Sequence, residues 1–147
     1  MPNHAENQSH VAVARDYFRL LDAGDAAILE LFTRDAQVYF PKYGVGTGGA
    51  GFLEIATGLG SVLSATTHDS KDYLYIGSGD YLVVEGTTSG TLKDGRQWKA
   101  TETPTGRFCS VFQFRDNRIA RLSIYLDPDY GGDDEARFLW GREGRRW

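Results

Sequence analysis

The change in hydrophobic period along the chain constrains its fold more than any single motif does. Near the N-terminus, Val11, Ala14, Phe18, Leu20 and Leu21 recur at three- and four-residue spacings, with Arg15, Asp16, Arg19 and Asp22 between them. This predicts a first helix, with Ser9 as N-cap and Gly24 as its stop. Asp25 is placed to cap a second short helix over 26–33, whose Ile28, Leu29 and Phe32 face a core. Residues 36–40 predict a strand ended by Pro41, and 52–64 a further helix. From His68 onward the pattern changes to strands over 72–76, 80–92, 96–103, 107–115 and 118–126. Turn signals separate them: Gly77-Ser78-Gly79-Asp80, Lys93-Asp94-Gly95, Pro104-Thr105-Gly106 and Asp116-Asn117. Short connections imply an antiparallel meander, and the order of elements implies an α+β fold rather than repeated βαβ units. Helices packed into a curved, mostly antiparallel sheet would enclose a small-molecule pocket.

Composition narrows the function classes. A length of 147 residues suits one domain, here 1–147 with a core of about 10–127 and a C-terminal extension over 128–147. Eight Tyr, eight Phe and three Trp suit a curved sheet and an apolar pocket. A net charge of −4, without a Lys/Arg stripe, argues against a nucleic-acid partner. Arg142, Arg145 and Arg146 follow the acidic run Asp133, Asp134 and Glu135, and read as a solvated tail, with docking onto the domain or a partner as the alternative. Cys109 is the only cysteine, which excludes an intramolecular disulfide and a cysteine zinc site; it reads as a buried structural thiol. Nothing resembles a signal peptide and no run suits a bilayer, so the expected address is cytoplasmic, with no membrane partner. The glycine-dense stretch 43–51 lacks a following Lys-Ser/Thr, and reads as a flexible loop rather than a phosphate cradle.

Four phrases carry a resemblance: Tyr17-Phe18-Arg19-Leu20-Leu21-Asp22-Ala23-Gly24-Asp25, Leu31-Phe32-Thr33-Arg34-Asp35-Ala36-Gln37-Val38, Val111-Phe112-Gln113-Phe114-Arg115-Asp116-Asn117-Arg118-Ile119 and Ile124-Tyr125-Leu126. In this order they resemble the nuclear transport factor 2-like superfamily, which includes ketosteroid isomerase, limonene epoxide hydrolase, scytalone dehydratase and the SnoaL-like polyketide cyclases. The resemblance implies a cone: a long first helix lies across the concave face of a strongly bent sheet and leaves an apolar-walled cavity. It also implies a homodimer formed through the outer face of the sheet. Tyr17 holds the place of the oxyanion-hole tyrosine of ketosteroid isomerase, where a hydroxyl could donate to a substrate carbonyl. At three other positions the pattern departs. Phe40, followed by Pro41, stands where that isomerase has its base, and Ser110 stands near its second oxyanion donor. Ile124 stands where the hydrolase and the cyclases carry an aspartate. An apolar side chain moves no proton, so these mechanisms do not transfer intact.

Other groups are candidates for the missing chemistry. His68 occupies a place where scytalone dehydratase carries a functional histidine, and imidazole titrates near neutral pH. A lone histidine at a strand start is more often a structural hydrogen-bonder, and Asp69 beside it would point to the opposite face. Alternation places Glu85 with Thr87, Ser89 and Thr91 on one strand face. Aligning Gly95-Arg96 with the isomerase turn makes that face concave. The alternative is a solvent-facing glutamate. Tyr39, Phe40, Thr87, Trp98, Ser110, Phe112 and Ile124 complete the expected substrate-binding set. Asp127, before Pro128, reads as a turn former. Phe138, Leu139 and Trp140 would close the cone mouth or cover a dimer surface. His4 and His10 belong to a polar leader. His68, Glu85 and Asp127 are too dispersed for a metal site. The expectation is a SnoaL-like enzyme, without cofactor, doing acid/base chemistry on a small apolar or polycyclic metabolite through Tyr17, His68 and Glu85. A non-catalytic binding or dimerisation module of the same fold is the alternative.

Overall fold

A computed structural model describes residues 4–138 and 144–147; Leu139, Trp140 and Arg142 lie outside the described residues. The first helical period runs further back than expected. Helix α1 spans His4–Ala23, so Ser9 lies inside it rather than capping it. His10 is not part of a polar leader: it is buried, and its ring stacks on Phe114 with centroids 4.1 Å apart. The apolar stripe of α1 buries Ala14, Tyr17, Phe18 and Leu20. Gly24 ends the helix with a φ of +63°, a conformation that costs glycine little.

Asp25 caps the next element, its carboxylate accepting from the Ala27 amide at 2.9 Å. That element is a 3-10 turn over Ala26–Leu31 rather than a helix to residue 33. Strand β1, Phe32–Phe40, starts earlier than expected, with Phe32, Ala36, Val38 and Phe40 turned into the core. The glycine-dense stretch is not a loose loop. It forms β2, Gly44–Thr47, and opens α2, Gly48–Gly60. Here the Gly46 and Gly51 backbones meet; a Cβ on Gly51 would lie 2.5 Å from the Gly46 carbonyl carbon.

The remaining strands are β3 (Leu63–His68), β4 (Leu74–Ser78), β5 (Tyr81–Leu92), β6 (Gln97–Lys99), β7 (Arg107–Arg115) and β8 (Arg118–Leu126). One eight-stranded sheet runs β2-β1-β8-β7-β5-β3, with β4 and β6 also paired to β5. The long β5 is the spine: Tyr81–Thr87 pairs with β7, and Thr88–Leu92 with β3. All pairs are antiparallel except β1 with β8, so the sheet is mixed and open, not a pure meander. In β8 the pairing skips Ala120, a bulge that turns both Ile119 and Leu122 inward.

The result is the α+β cone, with α1 packed inside the curved sheet against β3, β4 and β5. Phe18, Leu82, Val84, Phe112, Ile119 and Leu122 fill the contact. Each contributes roughly 2 kcal/mol through removal from water. The convex face leaves Leu74, Ile76, Tyr81 and Tyr125 exposed. Among the described residues, no helix is long and apolar enough to cross a membrane. Of the three C-terminal arginines, Arg146 is exposed, whereas Arg145 is docked on the domain: it pairs with Glu135, and nearby Arg107 donates to the Trp147 main-chain oxygen at 2.6 Å.

Candidate functional site

Between α1, α2 and the concave face lies a cavity of about 590 Å³. One side is apolar, made by Phe52, Leu53, Ile55, Ala56, Leu59 and Leu63. The polar groups are Tyr17, Asp22, Thr66, His68, Thr88, Ser110 and Tyr130, together with Ser64 and Asp25. An apolar chamber with a few convergent polar groups has the general form of a small-molecule site.

Strand parity decides which β5 residues reach this chamber. Leu82 and Val84 are buried, and Glu85, on the opposite face of the pleat, is exposed. Glu85 and Thr87 therefore belong to the convex side, and the expectation that they line the cavity is corrected. A shift of one residue in the assumed face exchanges every side chain between core and surface. The inward positions beyond Val84 are Gly86, whose space is taken by the Tyr73 ring, and Thr88. Glu85 and Thr87 instead border an outer depression of about 650 Å³ with Asp69, Asp72, Arg107 and Cys109. Cys109 is half-buried there rather than in the core; burial and then Glu85 push its thiol up, which keeps it protonated.

Of the other expected residues, Phe40, Ser110 and Ile124 line the cavity. Tyr39 does not: it lies on the convex face with its ring centroid 5.7 Å from that of Tyr125. Phe112 and Trp98 stand behind the wall. Phe112 meets the Tyr17 ring edge-on at 5.6 Å. The Trp98 indole N–H donates to the Thr88 hydroxyl at 3.1 Å, and its ring packs on Tyr130 at 4.7 Å.

Tyr17 is buried, held edge-on by Phe18, Phe32, Phe52 and Phe112. Its hydroxyl has no hydrogen-bond partner among the described residues. Burial first, then the neighbouring Tyr130 and Asp22, raise its pKa well above the usual phenol range. Tyr17 is thus a neutral donor throughout the physiological range.

His68 ends β3 instead of opening the sheet, and Asp22 in the last turn of α1 binds it twice. One carboxylate oxygen accepts the His68 amide at 2.7 Å, and the other lies 2.6 Å from Nδ1. A carboxylate only accepts, so Nδ1 carries a proton, and in the neutral form of the ring the lone pair is therefore on Nε2. The ring stacks on Phe18 at 5.0 Å, and its side chain is 9% exposed against 23% for Asp22. Nε2 has no partner among the described residues and remains available to a ligand. Asp22, Thr88 and Tyr130 were absent from the expected site. A signal for Asp22 does exist: an acid in the last turn opposes the helix dipole, so it requires a compensating partner.

Among the described residues, no group of three or more His, Cys, Asp or Glu side chains is placed to hold a metal ion. No curated protein matches the chain. Its fold is similar to that of TerC, co-crystallised with polyporic acid, at 22% identity over 81% of this chain and 92% of that one (TM-score 0.67). A putative polyketide cyclase from Xanthomonas campestris pv. campestris is similar at 16% identity, over 82% and 92% of the two chains (TM-score 0.71). An NTF2-like protein from Anabaena variabilis is similar at 21% identity, over 88% and 96% (TM-score 0.70). At these identities the likeness is one of fold. Residues 14–122 match the SnoaL-like domain, a stretch that holds α1 from Ala14, the whole sheet up to Leu122 and both Asp22 and His68; the chain belongs to the SnoaL-like family.

Proposed function

We propose that this chain is a SnoaL-like enzyme performing cofactor-independent acid/base chemistry on a small apolar metabolite inside the cone. The observation that carries the proposal is the Asp22–His68 pair in the wall of an otherwise apolar cavity. His68 Nε2 takes a proton from a carbon next to a substrate carbonyl. Tyr17 donates a hydrogen bond to the oxygen on which negative charge develops. Asp22 holds the imidazole in its Nδ1–H tautomer and stabilises the imidazolium once the proton has moved. Return of the proton to a different carbon gives isomerisation, attack of the enolate on a second carbonyl gives cyclisation, and loss of a β-hydroxyl gives dehydration. Glu85, on the convex face, has no part in this scheme.

The test is enzyme-catalysed exchange of the α-hydrogens of 2-tetralone in heavy water, followed by NMR. His68→Gln should lose catalysed exchange about 10²-fold or more, and Tyr17→Phe about 10²-fold, with Glu85→Gln unchanged. Exchange that persists in His68→Gln refutes the assignment. The placement of Glu85 in solvent supports a second reading, a non-catalytic binding module. Tetralone that binds without any exchange above buffer would favour that module.

A further inference from the structure

The match to the SnoaL-like domain ends at residue 122, yet the cavity wall does not. Beyond β8 the chain turns back and contributes Tyr130 to the chamber. The turn is tied down locally. The Asp127 carboxylate accepts the Asp129 amide at 3.0 Å, and the Asp129 carboxylate accepts the amides of Asp133 and Asp134 at 2.9 and 2.8 Å. It is also tied to the sheet. The Thr105 hydroxyl donates to the Asp129 carbonyl at 2.7 Å. Arg96 donates to the Gly131 carbonyl at 3.1 Å and to Asp133 at 3.0 Å. The guanidinium lies so close that a Cβ on Gly131 would meet its Nη1 at 2.6 Å. Trp98, buried behind the wall, backs the Tyr130 ring.

This anchoring fixes a ring whose hydroxyl has no hydrogen-bond partner among the described residues. Burial and then Asp127 push the Tyr130 phenol up to about 12, so it is a neutral donor, as Tyr17 is. An apolar ligand that fills the chamber excludes solvent from both phenols and leaves a donor unpaired unless the ligand carries an acceptor. A site built in this way rejects the analogue that lacks the oxygen.

We infer that Tyr130 is a second phenolic donor to the ligand and that, with Tyr17, it selects oxygen-bearing ring compounds over the corresponding hydrocarbons, with Arg96 as the residue that positions it. This rests on the reading of the cavity as the site for an apolar metabolite. Titration calorimetry with 2-tetralone and tetralin, which differ by one carbonyl, gives the selectivity as a ratio of Kd values. Tyr130→Phe keeps the ring on Trp98 and should lower that ratio about fivefold to tenfold, with tetralin affinity held within about twofold. Arg96→Gln, outside the cavity wall, should lower the ratio in the same direction by freeing the turn. An unchanged ratio in Tyr130→Phe, or equal weakening of both ligands, overturns the inference. Wild-type protein that binds neither probe overturns the cavity reading and this inference with it. Selective binding without α-hydrogen exchange would overturn only the catalytic proposal and leave Tyr130 as assigned.

Discussion

Replacing Asp22 with Asn keeps the shape of the side chain and removes its charge. In the native pair each carboxylate oxygen accepts one bond from His68, at 2.7 Å from the backbone amide and 2.6 Å from Nδ1. An asparagine has one acceptor oxygen, so it can keep only one of the two, and that one becomes a neutral bond. A bond to a charged group contributes about 1.5–3 kcal/mol and a neutral one about 1 kcal/mol, so exchanging two of the first for one of the second gives a gross loss of roughly 2–5 kcal/mol. Two effects reduce it. Asp22 is 23% exposed, so solvent already screens the pair. Its charge also opposes the dipole at the end of α1, and removing it returns about 0.3–1 kcal/mol. The net expectation is roughly 1–2 kcal/mol, which for a chain of this size lowers Tm by about 3–6 °C. Thermal unfolding measures that loss. Heteronuclear NMR of the imidazole nitrogens reads the consequence at the ring: the wild type shows the Nδ1–H tautomer of neutral His68, and Asp22→Asn shows a mixture. A Tm within about 1 °C of wild type, together with an unchanged imidazole spectrum, would refute the pairing in solution and with it the tautomer on which the proposed proton transfer by Nε2 depends.

Two glycines of α2 should respond in opposite directions to the same substitution. Gly51→Ala places a methyl 2.5 Å from Gly46 and should cost about 1–3 kcal/mol, whereas Gly58→Ala meets nothing within 4 Å and should gain about 0.5–1 kcal/mol, both read from urea midpoints. At alkaline pH, the unfolded chain releases phenol protons from about pH 10 while native Tyr130 keeps its proton to about 12. The native state then binds more protons, so stability falls as pH rises; Tyr130 accounts for about 1 kcal/mol of the fall between pH about 9 and about 11, and Tyr130→Phe should lose that much less over the same interval. We also propose pairing of two copies through the convex face, supported by exposed Leu74, Ile76 and Tyr81 on the outer side of the paired β4 and β5, and by exposed Tyr125 on β8. Sedimentation should give a dimer that Ile76→Glu dissociates; a wild-type monomer at micromolar concentration would remove the proposal.

Local periodicity made the fold class and most of the elements legible. The helical spacing of Val11, Ala14, Phe18 and Leu21 and the turns between strands need no partner to be read. Tyr17, Phe40, Ser110, Ile124 and His68 could be placed in the cone from their positions along those elements and from the family resemblance. Boundaries and faces were harder. The Gly46–Gly51 approach turns an apparent loop into β2 and the start of α2, because two backbones without side chains can pack where others cannot. The face of β5 depended on a parity that an alignment through Gly95-Arg96 misplaced by one residue. Glu85 therefore moved to the surface and Thr88 into the wall.

By itself, then, the order of residues determines which segments bury an apolar stripe and in what period, since that follows from side chains three, four or two positions apart. Only the tertiary structure decided what those segments bring together. Asp22 and His68 are 46 residues apart and meet because α1 ends where β3 ends. Tyr130 joins Tyr17 because Arg96, Thr105 and Trp98 hold a turn that lies beyond the last strand. Such contacts carry no local period, and the chemistry proposed for the cone rests on them.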